Sequence, residues 1–186
     1  MSKKKIVLLW SSPNEDGLTA AAAKETAQGV LSEDAELTCI HVNEQQLLHC
    51  RACGNGWGLC ASEGRCVQQD DFQSIYDQLL AADGIILVTA VYWHDVTECM
   101  KALLDRLRRC ETAHNHALTG KSTLLIACAG GSGRGATQCL YIMEDTLSHM
   151  KMTAFDRLPV TRFNRSYMLP AVKEAGVAFV QSLELK

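Results

Sequence analysis

Apolar residues fall in short unbroken runs, separated by longer stretches where they recur every three or four positions. The runs are Lys5–Trp10 (KIVLLW), Glu36–Val42 (ELTCIHV), Gly84–Thr89 (GIILVT) and Ser122–Cys128 (STLLIAC). None keeps a strict apolar–polar alternation, so each reads as a strand buried on both faces. A weaker run spans Phe155–Val160. Helical spacing marks Leu18–Leu31, Asp71–Ala82, Glu98–Thr112, Ala136–Met150 and Ala171–Leu185. In the second of these, Phe72, Ile75, Leu79 and Leu80 share a face, and Asp70 or Asp71 is placed to cap the first turn. Alternating strands and helices of this kind predict an α/β fold with a parallel sheet covered on both sides. Five strands fit the doubly wound order 2-1-3-4-5. No repeat, low-complexity tract or linker breaks the pattern, so residues 1–186 are expected to form one domain.

Composition narrows the function classes. With 47% hydrophobic residues in 186, the chain is expected to bury roughly 70% of its unfolded surface, which excludes disorder. A net charge of -3 provides no basic field for nucleic acid or anionic lipid, and neither is expected as a partner. The first apolar run, Ile6–Trp10, is shorter than the roughly 7–15 residues of a signal-peptide core. No stretch approaches the roughly 18–20 apolar residues that cross a bilayer. A cytoplasmic location is therefore expected, where the 9 cysteines stay reduced.

In a doubly wound sheet, ligands bind outside the carboxyl ends of the strands, which singles out three loops. The first, Ser11-Ser12-Pro13-Asn14-Glu15-Asp16-Gly17-Leu18-Thr19, runs into a helix. Its hydroxyls and free amides suit a phosphate, although a simple capped turn needs the same residues and Glu15 and Asp16 oppose a dianion. No GxxxxGK[ST] pattern is present. The second loop carries Ala90, Val91, Tyr92 and Trp93. Aromatics at a strand's carboxyl end suit a flat heteroaromatic ligand, or else they pack under a neighbouring loop or in a dimer contact. His94 stands where it can donate a proton. The third loop, from Ala129 through Gly130 and Gly131 to Gly135, has glycines that let backbone N–H groups approach a ligand, or that merely make a flexible turn.

Cys50, Cys53, Cys60 and Cys66 crowd one loop with the spacing C-x2-C-x6-C-x5-C. Four thiolates in so short a segment can hold a [4Fe–4S] cluster or a tetrahedral zinc, or remain free thiols. Cys39, Cys128 and Cys139 fall on apolar faces and are expected in the core, while Cys99 and Cys110 lie on a helix. His114 and His116 follow Cys110 closely enough to imitate a metal site.

Taken together, these segments resemble the flavodoxin-like NADPH-dependent FMN reductases and, more closely, the iron–sulfur flavoproteins among them. The likeness spans roughly residues 4 to 150. Ser12, Pro13, Gly17 and Thr19 match a family loop GSPRxxGNT, with Ser11, Asn14 and Leu18 replacing its first Gly, its Arg and its Asn. Val91, Tyr92, Trp93, Val96, Met100, Lys101, Asp105 and Arg106 match PVYWxxVxxxMKxxxDR, with Ala90 in place of Pro. The cysteine loop precedes Asp70-Asp71-Phe72, as it does in the family, and Gly54–Leu59 is an insert before Cys60. The resemblance implies a flavodoxin-like fold. It implies FMN held by Ser11, Ser12, Pro13, Asn14, Gly17, Leu18 and Thr19 at the phosphate, by residues 90–93 at the ring, and by Ala129, Gly130, Gly131 and Gly135. It also implies a cluster on the four cysteines, NAD(P)H as co-substrate, and a homodimer or homotetramer. The function expected is an FMN-dependent oxidoreductase with no obligate catalytic side chain. A flavodoxin-type electron carrier and a zinc-stabilised binding module are the alternatives.

Overall fold

A computed structural model describes residues 3–113 and 116–185. Five strands, β1 (Lys5–Ser11), β2 (Glu36–His41), β3 (Gly84–Ala90), β4 (Ser122–Ala129) and β5 (Thr153–Thr161), form one sheet. Every neighbouring pair is parallel and the order is β2-β1-β3-β4-β5, as the alternation predicts. The helices are α1 (Leu18–Leu31), a short α2 (Leu59–Ser62), α3 (Phe72–Ala81), α4 (Glu98–Glu111), α5 (Ala136–Ser148) and α6 (Arg165–Glu184). Among the described residues, no helix is long and apolar enough to cross a membrane.

The unbroken apolar runs have a simple cause. Ile6 and Leu8 of β1 face α1 and α6, meeting Ala22, Val30, Val172 and Phe179. Val7 and Leu9 face the other way, toward Phe72 and Ile75 of α3, Leu103 of α4 and Met143 of α5. Each such buried aliphatic side chain stabilises the fold by roughly 1.5–3 kcal/mol. On the first face the helices touch backbone to backbone: a Cβ on Gly29 would sit 2.0 Å from the Lys173 carbonyl oxygen.

Three details differ from expectation. Val42 leaves β2 for a 3-10 turn over Val42–Glu44. The last helix begins at Arg165, not Ala171, and runs through Pro170. Proline there costs one bond to the Ser166 carbonyl, but Ser166 is exposed, so water can satisfy that group. Cys39 is exposed, not core, because β2 is an edge strand whose middle lies beyond the helical cover. The start of α3 is capped where expected: Asp71 is the N-cap residue, and the Asp70 carboxylate accepts the Phe72 N–H at 3.3 Å. Cys128 and Cys139 are buried as expected, and burial pushes both thiols up to about 12.

One polar group is sealed inside the α3–α4 face. Glu111, fully buried, accepts from the Tyr76 hydroxyl at 2.6 Å and from the Leu118 N–H at 2.8 Å. Desolvation, reinforced by the Glu111 hydrogen bond, pushes the Tyr76 hydroxyl far above its ordinary range. Removing that hydroxyl strands a buried carboxylate oxygen. Tyr76→Phe is expected to lower unfolding free energy by roughly 1–3 kcal/mol, seen as a lower denaturation midpoint at unchanged m-value.

Candidate functional site

The carboxyl ends of β1 and β3 are knitted together by hydroxyls. Ser11 closes β1, is fully buried, and donates to Asn43 Oδ1 at 3.1 Å while pairing with the Thr97 hydroxyl. Thr97 caps α4 by accepting the Met100 N–H, and its own N–H goes to Thr89 Oγ1 at the end of β3. Cys99 Sγ lies 3.6 Å from Ser11 Oγ.

The following loop is folded on itself. Ser12 Oγ accepts the Asn14 N–H at 3.1 Å, Asn14 Oδ1 accepts the Asp16 N–H at 3.3 Å, and the Asn14 amide lies over Gly17. His41 braces it from β2, with Nε2 2.8 Å from the Ser12 carbonyl oxygen and its ring stacked 3.6 Å from Trp10. Gly17 is the N-cap of α1 and brings no side-chain cap, so the amides of Leu18, Thr19 and Ala20 face outward without an intrahelical partner. Such a terminus attracts anions. Pro13, Asn14, Glu15 and Asp16 are exposed. Glu15 converges with Glu44 and His41, their ligand atoms within 4.8 Å of one another.

The second and third loops meet. Ala90 ends β3, and Val91 donates its N–H to the Cys128 carbonyl. Tyr92 and Asp95 then exchange backbone hydrogen bonds of 2.8 and 3.0 Å, which closes a tight turn. Trp93 and His94 adopt φ of 49° and 72° inside it, an uncommon conformation for bulky residues. Trp93 is 98% exposed, so it does not pack under a neighbouring loop. The His94 ring presses on Gly135, whose φ is 85° and where a Cβ would lie 2.6 Å from the imidazole; only glycine fits. An open hollow lies between Val91, Trp93 and His94 on one side and residues 129–134 on the other. Ala90, Tyr92 and Gly135 stand beside this hollow without lining it. No residue of the first loop lines this hollow; the loop reaches the end of β4 through Thr19, which is buried and hydrogen-bonds the Cys128 side chain. His94, singled out in the sequence as a proton donor, lines the hollow, as do Ser132, Gly133 and Arg134, which the sequence did not single out. Arg134 brings a cation into the third loop, where the first loop has none.

Cys50, Cys53, Cys60 and Cys66 all line a second recess. Its floor is a face of α4, where Arg106, Arg109 and Cys110 follow at i, i+3 and i+4. Ala52, Gly54, Asn55 and Gly56 have positive φ, which turns the loop back over that floor. Arg109 donates to the Gly56 carbonyl and lies 4.9 Å over the Trp57 ring. Asp70 fixes the loop's other end. Its carboxylate accepts from Arg106 at 2.6 and 2.7 Å, from the Leu48 N–H at 2.9 Å and from the Phe72 N–H. Burial pushes the Cys110 thiol up to about 12, and the nearby Cys60 and Cys66 add to that. Among the described residues, no three thiol sulfurs lie within 4.8 Å of one another. A tetrahedral zinc brings its thiolates to about 3.8 Å apart; a larger iron–sulfur core spreads them further. His116 does not line the recess, and His114 lies outside the described residues. Arg106 and Cys110 were legible in principle, because both interrupt or join the apolar stripe of Leu103, Leu104 and Leu107.

Residues 4–162 match the protein family described as NADPH-dependent FMN reductase. The chain belongs to this family. An iron–sulfur flavoprotein of Methanocaldococcus jannaschii is 32% identical over 104 residues, covering 56% of this chain and 52% of that one. One from Archaeoglobus fulgidus is 27% identical over 130 residues, covering 70% of this chain and 56% of its own length. The chain thus spans little more than half the length of these curated relatives. Among solved structures, an apo NADH:FMN oxidoreductase superposes with a TM-score of 0.68 at 22% identity, covering 96% of this chain and 89% of that one. A flavodoxin from the domain Archaea gives 0.66 at 16% identity, with coverage of 97% and 99%. These two likenesses establish the flavodoxin-like fold.

In this FMN reductase family member the Asp70–Arg106 pair also sets an acid limit. Burial raises the Asp70 carboxyl, but the Arg106 hydrogen bonds, with Leu48 and Phe72, outweigh it and hold the group below its ordinary range. A depressed carboxyl stabilises the fold above its unfolded value of about 3.9, and this contribution is lost as pH falls through the lower folded value. Asp70→Asn leaves Arg106 buried without its counter-ion. It is expected to cost about 3–5 kcal/mol at neutral pH and to remove the wild-type loss of stability below about pH 4, both read from denaturant midpoints across pH.

Proposed function

We propose that this chain binds FMN at the rim formed by its first, second and third strand-end loops and works as an oxidoreductase. Electrons would come from NAD(P)H or a protein donor and pass to an acceptor by way of a [4Fe–4S] cluster held by Cys50, Cys53, Cys60 and Cys66. The observation that carries the flavin reading is the hollow between Val91–His94 and residues 129–134, beside an uncapped α1 terminus, in a chain of the FMN reductase family. FMN, when bound, supplies hydride and one-electron chemistry.

The residues divide the work of binding. The amides of Leu18 and Thr19 would hold the 5′-phosphate, while the hydroxyls of Ser12 and Thr19 brace the loop against Asn14 and Cys128; Pro13 and Gly17 set the path of the loop. Ser11 holds that loop to α4 through Thr97. Residues Ala90, Val91, Tyr92 and Trp93 would lie along the ring edge, with the Val91 and Tyr92 N–H groups holding the turn itself, and Ala129, Gly130 and Gly131 would let backbone approach the opposite side. Asn14 keeps Gly17 in place from above. Gly135 leaves room for His94, which keeps the Tyr92–Asp95 turn closed against the glycine loop. No side chain is required as an obligate acid or base.

For the recess, the donor set fits an iron–sulfur group: four soft thiols on a folded-back loop, beside two arginines. The iron–sulfur flavoproteins among the relatives support this reading by name.

Anaerobic purification followed by flavin, iron, sulfide and zinc analysis tests both parts. Bound or re-bindable FMN with its visible bands is expected, and its absence after added FMN overturns the flavin reading. NAD(P)H oxidation in the steady state is expected; FMN without any such oxidation assigns the chain to electron carriage instead. Gly135→Ala is expected to weaken FMN binding by tenfold or more, because a Cβ there displaces His94 and the loop, and fluorescence titration of added FMN measures it.

A further inference from the structure

Arg106 is the largest fully buried side chain in the molecule, 1% exposed. Most of its donors are committed. One terminal nitrogen serves Asp70 and the Leu48 carbonyl, at 2.6 and 2.9 Å, and the other serves Asp70 at 2.7 Å. The guanidinium also lies 4.3 Å over the Phe72 ring. The Nε–H is left over: it is buried and has no hydrogen-bond partner. A buried N–H without an acceptor costs roughly 1–3 kcal/mol and calls for an explanation. The surroundings offer one. Arg106 lines the cysteine recess, and Cys66 is the thiol there that interacts with its guanidinium.

We infer that Arg106 Nε–H is a built-in donor to the sulfur of whatever iron–sulfur group the recess holds, at or beside Cys66, and that it tunes the reduction potential of that group. The inference rests on the cluster reading above and adds to it a positioning residue on α4, outside the cysteine loop. Its logic is electrostatic. A hydrogen bond to cluster sulfur favours the more negatively charged reduced state, and so raises the potential. Asp70 fixes the guanidinium in plane, so the unused edge points to one place and does not swing. Arg109 does not duplicate this role, because it spends a donor on Gly56 and is half of a stack on Trp57.

The test uses the full chain reconstituted anaerobically with iron and sulfide. Arg106→Lys keeps a cation for Asp70 but removes Nε–H. It is expected to bind the same iron and sulfide as wild type, and to shift the cluster's one-electron equilibrium about tenfold toward the oxidised form, a drop of about 59 mV. A potentiometric titration followed by electron paramagnetic resonance reads it. As a measurement needing no variant, wild type labelled with 15N-arginine is expected to show a nitrogen hyperfine coupling in the reduced cluster, retained in Arg109→Gln. Wild type that loads iron and sulfide but shows no such coupling, or an unchanged potential in Arg106→Lys, overturns this inference and leaves the cluster reading standing. Wild type that takes up no iron and sulfide overturns the cluster reading, and this inference with it.

Discussion

The carboxylate of Asp70 accepts four N–H groups drawn from three parts of the chain: Leu48, Phe72, and both terminal nitrogens of Arg106. Arg106 returns a bond to the Leu48 carbonyl, so the segment before the cysteine loop and the one after it are tied to the same guanidinium. An isolated buried ion pair is weak evidence of stability, because desolvation offsets its attraction. Here the pair has a different use. It fixes the two ends of a long, glycine-rich loop at one point on α4, and so limits where four thiols can lie.

The same helix reaches both candidate sites. Its N-terminus, at Thr97, bonds the end of β1 and the end of β3 beside the proposed phosphate loop. Nine residues later, about 14 Å along the axis, Arg106 opens the floor of the cysteine recess. Buried leucines at 103, 104 and 107 seat the helix against the sheet, which makes it a rigid spacer rather than a hinge. The proposed flavin and the proposed cluster therefore share one structural element, and their separation is set by core packing rather than by a loop.

Most of the sheet was legible because strands buried on both faces carry unbroken apolar runs, and β4, buried along its whole length, is apolar from Leu124 to Ala129. The edges were less so. β2 has cover for only part of its length, which is why Cys39 resembles a core residue in sequence and is exposed in the structure. The start of α6 was hidden by Pro170, since proline marks helix boundaries more often than interiors. The strand-end loops were found from topology and His94 was singled out among them, but Arg134 was not, because its part in the hollow depends on a contact between turns 40 residues apart. Cys110 and the two arginines escaped for the same reason: the spacing within the loop says nothing of the helix that the loop folds onto.

The rim itself carries a cost that the fold does not repay. Trp93 is held nearly bare to solvent, next to a histidine, both in left-handed backbone geometry. Leaving a large aromatic exposed forgoes burial of its apolar area, and the two conformations add strain of order 1–3 kcal/mol each. Core packing gains nothing from either. The Tyr92–Asp95 bridge, the His94–Gln138 contact at 3.1 Å and the glycine at 135 all act to keep this turn as it is. A turn held so firmly in an unfavourable shape, at the edge of a hollow open at the strand ends, presents the exposed Trp93 there, the flat apolar face that we propose a planar ring meets.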